Sequence, residues 1–326
     1  MKVLALILGI VACALLRAES VQAQEAQASP ADSRSVKLTM IVTDPAKRSV
    51  DDVRQEDLQL LEGKLPIPIS LFVKDDRPVD YALVVDTSGS FKKLLKSVVQ
   101  AAKTLVNSNQ PEDETFVETF VSGDKIETVQ EFTADKTKLG AALDSLYIRL
   151  GQSAVIDAIY LAVKHTAENK GGQAERRRAV VVFTDGEDRA SFYDEDKLIK
   201  LLREYDVQVF IVGIITELDK EAGLIRQSPR EKAERLLNKV AEESGGRVFS
   251  PRDDKETSEA VEQIAHDLHS QYLIGYQRPA KPGEKGFRKF NLKLTEASGR
   301  KKFSVITRPG YLVKSANRKE VEKRSP

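Results

Sequence analysis

Three short runs of apolar residues stand out in the middle of the chain: "VDYALVVD" (79–86), "RAVVVFTD" (178–185) and "VQVFIVGII" (207–215). Their apolar positions are continuous rather than alternating, which is typical of strands buried on both faces of a parallel sheet. Segments with helical spacing lie between them, such as "SFKKLLKSVVQAAKTLVNS" and "SAVIDAIYLAVKHTAEN". This alternation predicts an α/β domain over residues 79–270, with a doubly wound, mostly parallel sheet that carries helices on both faces.

Strands without helices are predicted at both ends of this domain. "SVKLTMIVTD" on the N-terminal side and "KFNLKLTEASG" on the C-terminal side alternate apolar and polar residues. Because no helices are available to cover these strands, we predict that residues 35–75 pair with residues 271–312 in a small β-sandwich. The polar segment 313–326 is expected to be a disordered tail.

The first residues have the pattern of a targeting segment. Lys2 precedes an apolar run, and small residues follow near Ala23, which predicts a signal peptide over residues 1–23 and a polar leader over 24–34. The apolar run is shorter than the roughly 20 residues of a membrane-spanning helix. We therefore expect an exported protein, periplasmic or extracellular, without an integral membrane span in the mature chain. An uncleaved anchor and a lipid anchor through Cys13 are the alternatives.

Composition narrows the class of protein. The 326 residues are 41% hydrophobic and 31% charged, with a formal net charge of +1. This balance is typical of a soluble globular protein and gives no sign of a nucleic-acid-binding surface. The only cysteine, Cys13, lies in the predicted signal peptide, so the mature chain would have no cysteine for a disulfide or a metal site.

Oxygen-bearing side chains follow two of the predicted strands. Asp86, Ser88 and Ser90 lie in "DTSGS" after the first strand, Asp185 ends another, and Ser153 in "RLGQSAVID" precedes a helix. The carboxyl ends of parallel strands meet at one edge of a sheet, where ligands commonly bind. Two carboxylates and three hydroxyls form a donor set that suits magnesium, calcium or manganese rather than zinc or copper.

Each of these residues also has a simpler interpretation when it is taken alone. Ser90 and Ser153 could cap the N-termini of helices, and Asp185 begins an Asp-Gly pair of the kind found in turns. Asp86 could be a solvated strand end. The metal-site hypothesis depends on all of them lying at the same edge.

The combined motifs resemble those of von Willebrand factor type A (VWFA) domains. The metal-ion-dependent adhesion site (MIDAS) of that family has D-x-S-x-S, then a threonine in a loop, then an aspartate in T-D-G. "DTSGS" matches the first part and "FTDGED" the last, whereas Ser153 stands where the family has threonine. The resemblance covers residues 79–270 and implies a Rossmann-like fold. The flanks "VTDPAKRSVDDVRQEDLQLLEG" and "SQYLIGYQRP" resemble those of an exported bacterial subgroup best known from acidobacterial genomes.

The resemblance implies a role for each residue of the motif. Ser88 and Ser90 would bind the metal directly, and Ser153 directly or through water. Asp86 and Asp185 would act mostly through water and orient the hydroxyls. Magnesium is the expected ion, with calcium and manganese as alternatives. An acidic side chain of a protein or peptide partner would then complete the coordination.

Asp157 is a further residue of interest, one turn into the helix after Ser153. It would either support the metal ligands from behind or be a favourable charge at a helix N-terminus. Two other functions remain open: a metal-assisted hydrolase at the same edge, and a structural scaffold with a degenerate metal site. The chain has no G-x-S-x-G elbow and no glycine-rich phosphate loop, so we predict a binding protein rather than an enzyme.

Overall fold

Strands and helices alternate through the middle of the protein, and strands predominate at both ends. The computed structural model describes residues 34–169, 175–216, 218, 227–279 and 285–313. The strands are β1 (Ser35–Thr43), β2 (Leu58–Glu62), β3 (Leu65–Ile67), β4 (Ile69–Lys74), β5 (Val79–Asp86), β6 (Glu114–Phe120), β7 (Ile126–Thr133), β8 (Arg177–Thr184), β9 (Gln208–Gly213), β10 (Val248–Phe249), β11 (Tyr272–Gln277), β12 (Gly286–Lys289), β13 (Asn291–Leu294), β14 (Ser304–Ile306) and β15 (Gly310–Val313). The α-helices are α1 (Leu95–Asn107), α2 (Lys136–Asp144), α3 (Val155–Glu168), α4 (Glu195–Glu204), α5 (Pro229–Ser244) and α6 (Asp254–His269).

The predictions for the two termini fall mostly outside these ranges. The signal peptide and nearly all of the polar leader precede Arg34, and the tail lies beyond the described residues except for Val313, which belongs to β15. None of the helices that the structure describes is long and apolar enough to cross a membrane.

A six-stranded sheet forms the centre of the protein, in the order β10-β9-β8-β5-β6-β7. Neighbouring strands are parallel except for the antiparallel pair β6 and β7. All eight residues of β5 are buried, as the continuous apolar run predicts. Helices α1, α2 and α6 cover one face of the sheet, and α3, α4 and α5 cover the other. The predicted doubly wound α/β fold is therefore confirmed.

The segment after β5 differs from the prediction. The helical spacing of "SFKKLLKSVVQ" suggests a helix from Ser90, but residues Gly89–Lys93 form a 3₁₀ turn and α1 begins at Leu95. The turn is closed by the Phe91 N–H donating to the Ser88 carbonyl at 3.0 Å, and the Phe91 ring is fully buried in the core. The buried Phe91 ring thus anchors the turn to the core, which keeps Ser88 and Ser90 at the edge of the sheet.

The two ends of the chain pair with each other beside this domain. Strand β1 pairs with β14, β2 with β13, and β4 with β11. These strands form sheets of four, three and two strands around one apolar cluster, so the expected sandwich is divided into three sheets. Pro68 explains part of this division, because it separates β3 from β4 and the two strands join different sheets.

A buried ion pair connects the flanking strands to the central domain. Arg247 and Asp267 form this pair, and both side chains are less than 10% exposed. The Arg247 guanidinium also donates to the Lys47 carbonyl at 2.7 Å, and the Ser49 hydroxyl donates to the Asp267 carboxylate. The loop after β1 is therefore fixed against α6, and the residues from Val36 onward form one unit.

Candidate metal centre

The five predicted site residues lie together at the carboxyl edge of the central sheet. The hydroxyls of Ser88 and Ser90 are 3.0 Å apart, and the Ser90 hydroxyl donates to Asp185 Oδ2 at 2.7 Å. The Ser153 hydroxyl donates to Asp86 Oδ2 at 3.4 Å. Ser90 is exposed, whereas the other four residues are buried. The cluster is therefore open to solvent on the side of Ser90.

Backbone groups and one threonine hold the two carboxylates in place. The Ser88 N–H donates to Asp86 Oδ1 at 2.9 Å, and the N–H of Glu187 donates to Asp185 Oδ1 at 3.0 Å. The Thr184 hydroxyl donates to Asp86 Oδ2 at 3.2 Å. Sequence reasoning assigned no role to Thr184, although it is the threonine of "FTDGED". It positions the first aspartate of the motif from the neighbouring strand.

The turn after Thr184 requires a glycine. Gly186 has a φ of 76°, and a Cβ at this position would lie 2.8 Å from a methyl carbon of Leu237. Its N–H donates to the Thr184 hydroxyl at 3.0 Å. Gly186 thus has the left-handed conformation that an Asp-Gly pair provides, and Asp185 beside it accepts the Ser90 hydroxyl.

The contacts of Thr87 explain why Asp86 and Ser88 of "DTSGS" contribute side chains to the cluster and the residue between them does not. Its hydroxyl is 2.8 Å from that of Thr119, and its N–H donates to the Phe120 carbonyl at 2.9 Å. The Thr87 side chain is therefore held inside the sheet. Asp86 and Ser88, on either side of it, can contact each other above the sheet edge.

The helix-cap interpretation of the two serines is wrong. The residue before α3 is Ala154, which provides no side-chain cap, and Ser90 lies inside the 3₁₀ turn. Neither serine therefore has the capping role that would explain it without a ligand. Their hydroxyls contact the carboxylates instead.

Asp157 lies in the first turn of α3, as its interpretation as a favourable charge at a helix N-terminus expects, and it also holds a neighbouring loop. Its carboxylate accepts the N–H groups of Phe192 at 2.7 Å and Tyr193 at 2.8 Å, on the loop after β8. The same loop donates the Arg189 N–H to the Ser153 carbonyl at 2.9 Å. Asp157 is thus the anchor of a loop that packs on Ser153. None of its described contacts reaches the hydroxyls of the cluster.

The electrostatics of the cluster favour a cation. Burial, together with the negative charge of Asp185, raises the pKa of Asp86 from 3.8 to about 7. Burial also raises the pKa of Asp185. A positive ion between the two carboxylates would favour their ionised forms. Among the described residues no group of three or more histidine, cysteine, aspartate or glutamate side chains could hold a metal, so the site depends on its serine hydroxyls. The all-oxygen donors fit a hard cation such as magnesium.

The fold and this cluster define a class of protein: a doubly wound α/β domain with D-x-S-x-S at the end of one central strand. A family model described as the von Willebrand factor type A domain matches residues 80–263, more than half of the chain. The chain therefore belongs to the von Willebrand factor type A domain family.

Several solved structures are similar to this chain. An aerotolerance-related membrane protein from Bacteroides fragilis is 20% identical, with 58% of this chain and 99% of that chain covered and a TM-score of 0.44. A von Willebrand factor type A protein from Catenulispora acidiphila is 12% identical, with coverages of 81% and 71% and a TM-score of 0.49. Proximal thread matrix protein 1 from the mussel byssus, with a zinc-occupied MIDAS motif, is 18% identical, with coverages of 65% and 50% and a TM-score of 0.46. No curated protein matches the chain by sequence.

Proposed function

We propose that this is an exported protein that binds a divalent cation, magnesium in the first place, and through it an acidic group of a protein partner. Domains of this family generally mediate protein–protein interactions. The observation that carries the finer proposal is the hydrogen bond from the exposed Ser90 to Asp185, because it joins the two distant parts of the motif at the solvent-facing side.

The chemistry of the donors supports a carboxylate as the partner group. Asp86, Ser88, Ser90, Ser153 and Asp185 would hold the ion, and three of these five donors are neutral hydroxyls. A magnesium ion bound by few charged groups retains affinity for an outside oxygen ligand. Lys92 and Lys93, which follow Ser90 and are exposed, add positive charge beside the opening. An acidic partner therefore fits both the ion and its surroundings.

The environment of the histidines supports binding rather than hydrolysis. His165 contacts Glu131, and His269 contacts Asp113 near the start of β6, at the other end of the sheet. The third histidine, His266, contacts Ser270. In the described parts of the chain, none of the three histidines has a hydrogen bond to a serine of the cluster. A hydrolase would need a base close to its nucleophile or to a metal-bound water. We accordingly propose a binding function rather than an enzymatic one.

The proposal of export rests on the apolar segment at the start of the chain. The signal-peptide pattern of residues 1–23 supports secretion to the periplasm or the exterior. A lipid anchor through Cys13 is the second possibility for the same segment. Mass spectrometry of the mature protein from its native host would find an N-terminus near Gln24 in the first case and a lipid-modified cysteine in the second.

A magnesium titration followed by thermal unfolding tests the metal site. Magnesium should stabilise the wild type by about 2.7 kcal/mol when its concentration is a hundred times the dissociation constant. The Asp86→Ala variant should not respond. Asp196→Ala is the matched control, because Asp196 is an exposed aspartate on α4 and should leave the response unchanged. Equal responses of all three proteins would show that the proposed site is wrong.

A further inference from the structure

The three most exposed large apolar side chains that the structure describes all belong to two loops whose backbones contact residues of the candidate metal centre. Leu150 is 84% exposed, Phe192 81% and Tyr147 67%. Single exposed apolar residues are common on protein surfaces, but apolar groups gathered at one place mark interaction surfaces. The next most exposed, Leu65, lies on the flanking strand β3.

Two loops carry these side chains, and both loops pack on the metal cluster. Tyr147 and Leu150 belong to the loop between α2 and α3, which leads to Ser153 three residues later. The Arg149 N–H of this loop donates to the Thr87 carbonyl at 2.9 Å, within the "DTSGS" segment. Phe192 belongs to the loop after β8, whose Ala190 N–H donates to the Ser153 carbonyl at 3.1 Å. Both loops therefore meet at Ser153.

The fold gives no reason for these side chains to be exposed. Tyr193, next to Phe192, is stacked on Tyr160 with ring centroids 3.9 Å apart, so an aromatic residue of this loop can pack against α3. Phe192 instead projects into solvent. When a partner covers an apolar side chain that is exposed in the free protein, the burial contributes favourably to the free energy of binding.

A cavity at the cluster also has apolar surface. Ser90 and Asp185 line this cavity of about 240 Å³, whose wall includes the apolar Leu94 and Ile214 and the charged Glu187 and Arg189. A carboxylate that reaches the metal through the opening at Ser90 would thus meet apolar surface in this cavity as well as on the two loops. A partner with only polar neighbours around its acid would leave this surface uncovered.

We propose that the partner is a protein segment whose metal-binding aspartate or glutamate is flanked by apolar side chains, and that Leu150, Phe192 and Tyr147 select for those flanking residues. This inference rests on the proposed function, because the carboxylate must bind the ion. The exposed Lys92 and Lys93 match the negative charge of such a segment.

Two capped peptides of equal length provide the test: acetyl-Gly-Leu-Asp-Leu-Gly-amide and acetyl-Gly-Ser-Asp-Ser-Gly-amide. Their affinities for the purified protein are measured by NMR titration in saturating magnesium and again in EDTA. The leucine peptide should bind at least about tenfold more tightly, because burial of about half of one leucine side chain gives that factor. Both affinities should disappear in EDTA.

Surface variants show which residues provide the preference. Leu150→Ser and Phe192→Ser should each weaken the leucine peptide severalfold and leave the serine peptide and the magnesium-induced thermal shift unchanged. Leu65→Ser is the matched control, since Leu65 is 62% exposed on a flanking sheet, and it should retain the full preference.

The possible failures separate this inference from the proposed function. Equal, magnesium-dependent binding of both peptides overturns the apolar selection and leaves the metal-dependent function intact. Failure of both peptides to bind, although magnesium stabilises the protein, also overturns the selection. Absence of both peptide binding and magnesium stabilisation overturns the proposed function and this inference with it. The wild type could instead bind anionic phospholipid vesicles without magnesium, and Leu150→Ser could abolish this binding. That result would assign the apolar residues to a membrane surface and overturn the selection.

Discussion

Replacement of Asp86 by asparagine should stabilise the protein when no divalent cation is present. The Asp86 carboxylate is fully buried and lies beside a second buried acid, Asp185. Asparagine has the same shape, and its carbonyl oxygen can still accept the Ser88 N–H that bonds to Asp86 Oδ1 in the wild type. The substitution therefore removes a buried negative charge and retains that contact, while the Ser153 and Thr184 hydroxyls, which donate to Asp86 Oδ2, have to accept from the new amide NH2 instead.

The size of the effect follows from the pKa of Asp86, which is raised from 3.8 to about 7 in the folded protein. Between these two pH values the folded state keeps a proton that the unfolded state releases, so stability falls as the pH rises through this window. A tenfold change in proton affinity corresponds to about 1.36 kcal/mol, and the raised pKa of Asp86 therefore costs the folded state about 4 kcal/mol above this window. Asparagine does not titrate, and Asp185 is present in both proteins, so their difference isolates Asp86.

Urea unfolding followed by circular dichroism measures this difference. In EDTA, the Asp86→Asn variant should be about as stable as the wild type near pH 4 and about 4 kcal/mol more stable at pH 8. Magnesium at pH 8 should reduce or reverse the order, because it stabilises only the wild type. Asp196 is exposed, so Asp196→Asn serves as the control and should show no pH-dependent difference in stability from the wild type. If Asp86→Asn is less stable than the wild type at pH 8 in EDTA, the reasoning about the buried carboxylate is refuted.

Other substitutions test one contact that supports the site and the backbone packing of the fold. Thr184→Val removes the hydroxyl that donates to Asp86, so urea unfolding should show a loss of about 1–3 kcal/mol, and unchanged stability would mean that this hydrogen bond is unimportant. Gly246→Ala would place a Cβ 2.0 Å from the Val209 carbonyl oxygen, and this clash cannot be relieved because the oxygen belongs to the backbone. Denaturant unfolding should therefore show a loss of about 3 kcal/mol or more in the free energy of unfolding. Gly140→Ala, inside α2 with open space around it, should raise the stability by about 0.5–1 kcal/mol in the same assay, and a loss there would contradict the described helix.

The central fold could be predicted from the sequence because each buried strand is a continuous apolar run. The pattern that defines β5 also defines β8, and burial on both faces leaves few alternatives. The start of α1 could not be predicted in the same way. Phe91 has the spacing of a helical core residue, and the structure buries it through a 3₁₀ turn instead. The division of the flanking strands into three sheets depends on long-range pairing, which local patterns do not specify.

The candidate site could be predicted to a similar extent. Asp86 and Asp185 were expected at one edge because parallel strands end on the same side, and the structure places them together. Their role in metal binding stays a prediction, as does that of the serines. The loop contacts of Asp157 could not be predicted from sequence, because its partners are backbone amides 35 and 36 residues away on another loop. Such partners leave no side-chain pattern to recognise.

Isothermal titration calorimetry of magnesium into EDTA-treated, dialysed protein tests the central claim most directly. The wild type should bind one magnesium ion, and Ser90→Ala should weaken that binding at least about tenfold, since the variant lacks a hydroxyl that we propose as a direct metal ligand. Ser90 is exposed, so the variant should fold normally. Ser108→Ala, which removes an exposed hydroxyl at the C-terminal end of α1, should bind magnesium as the wild type does. Equal affinity and stoichiometry in the wild type and Ser90→Ala, or no binding by the wild type, would contradict the account.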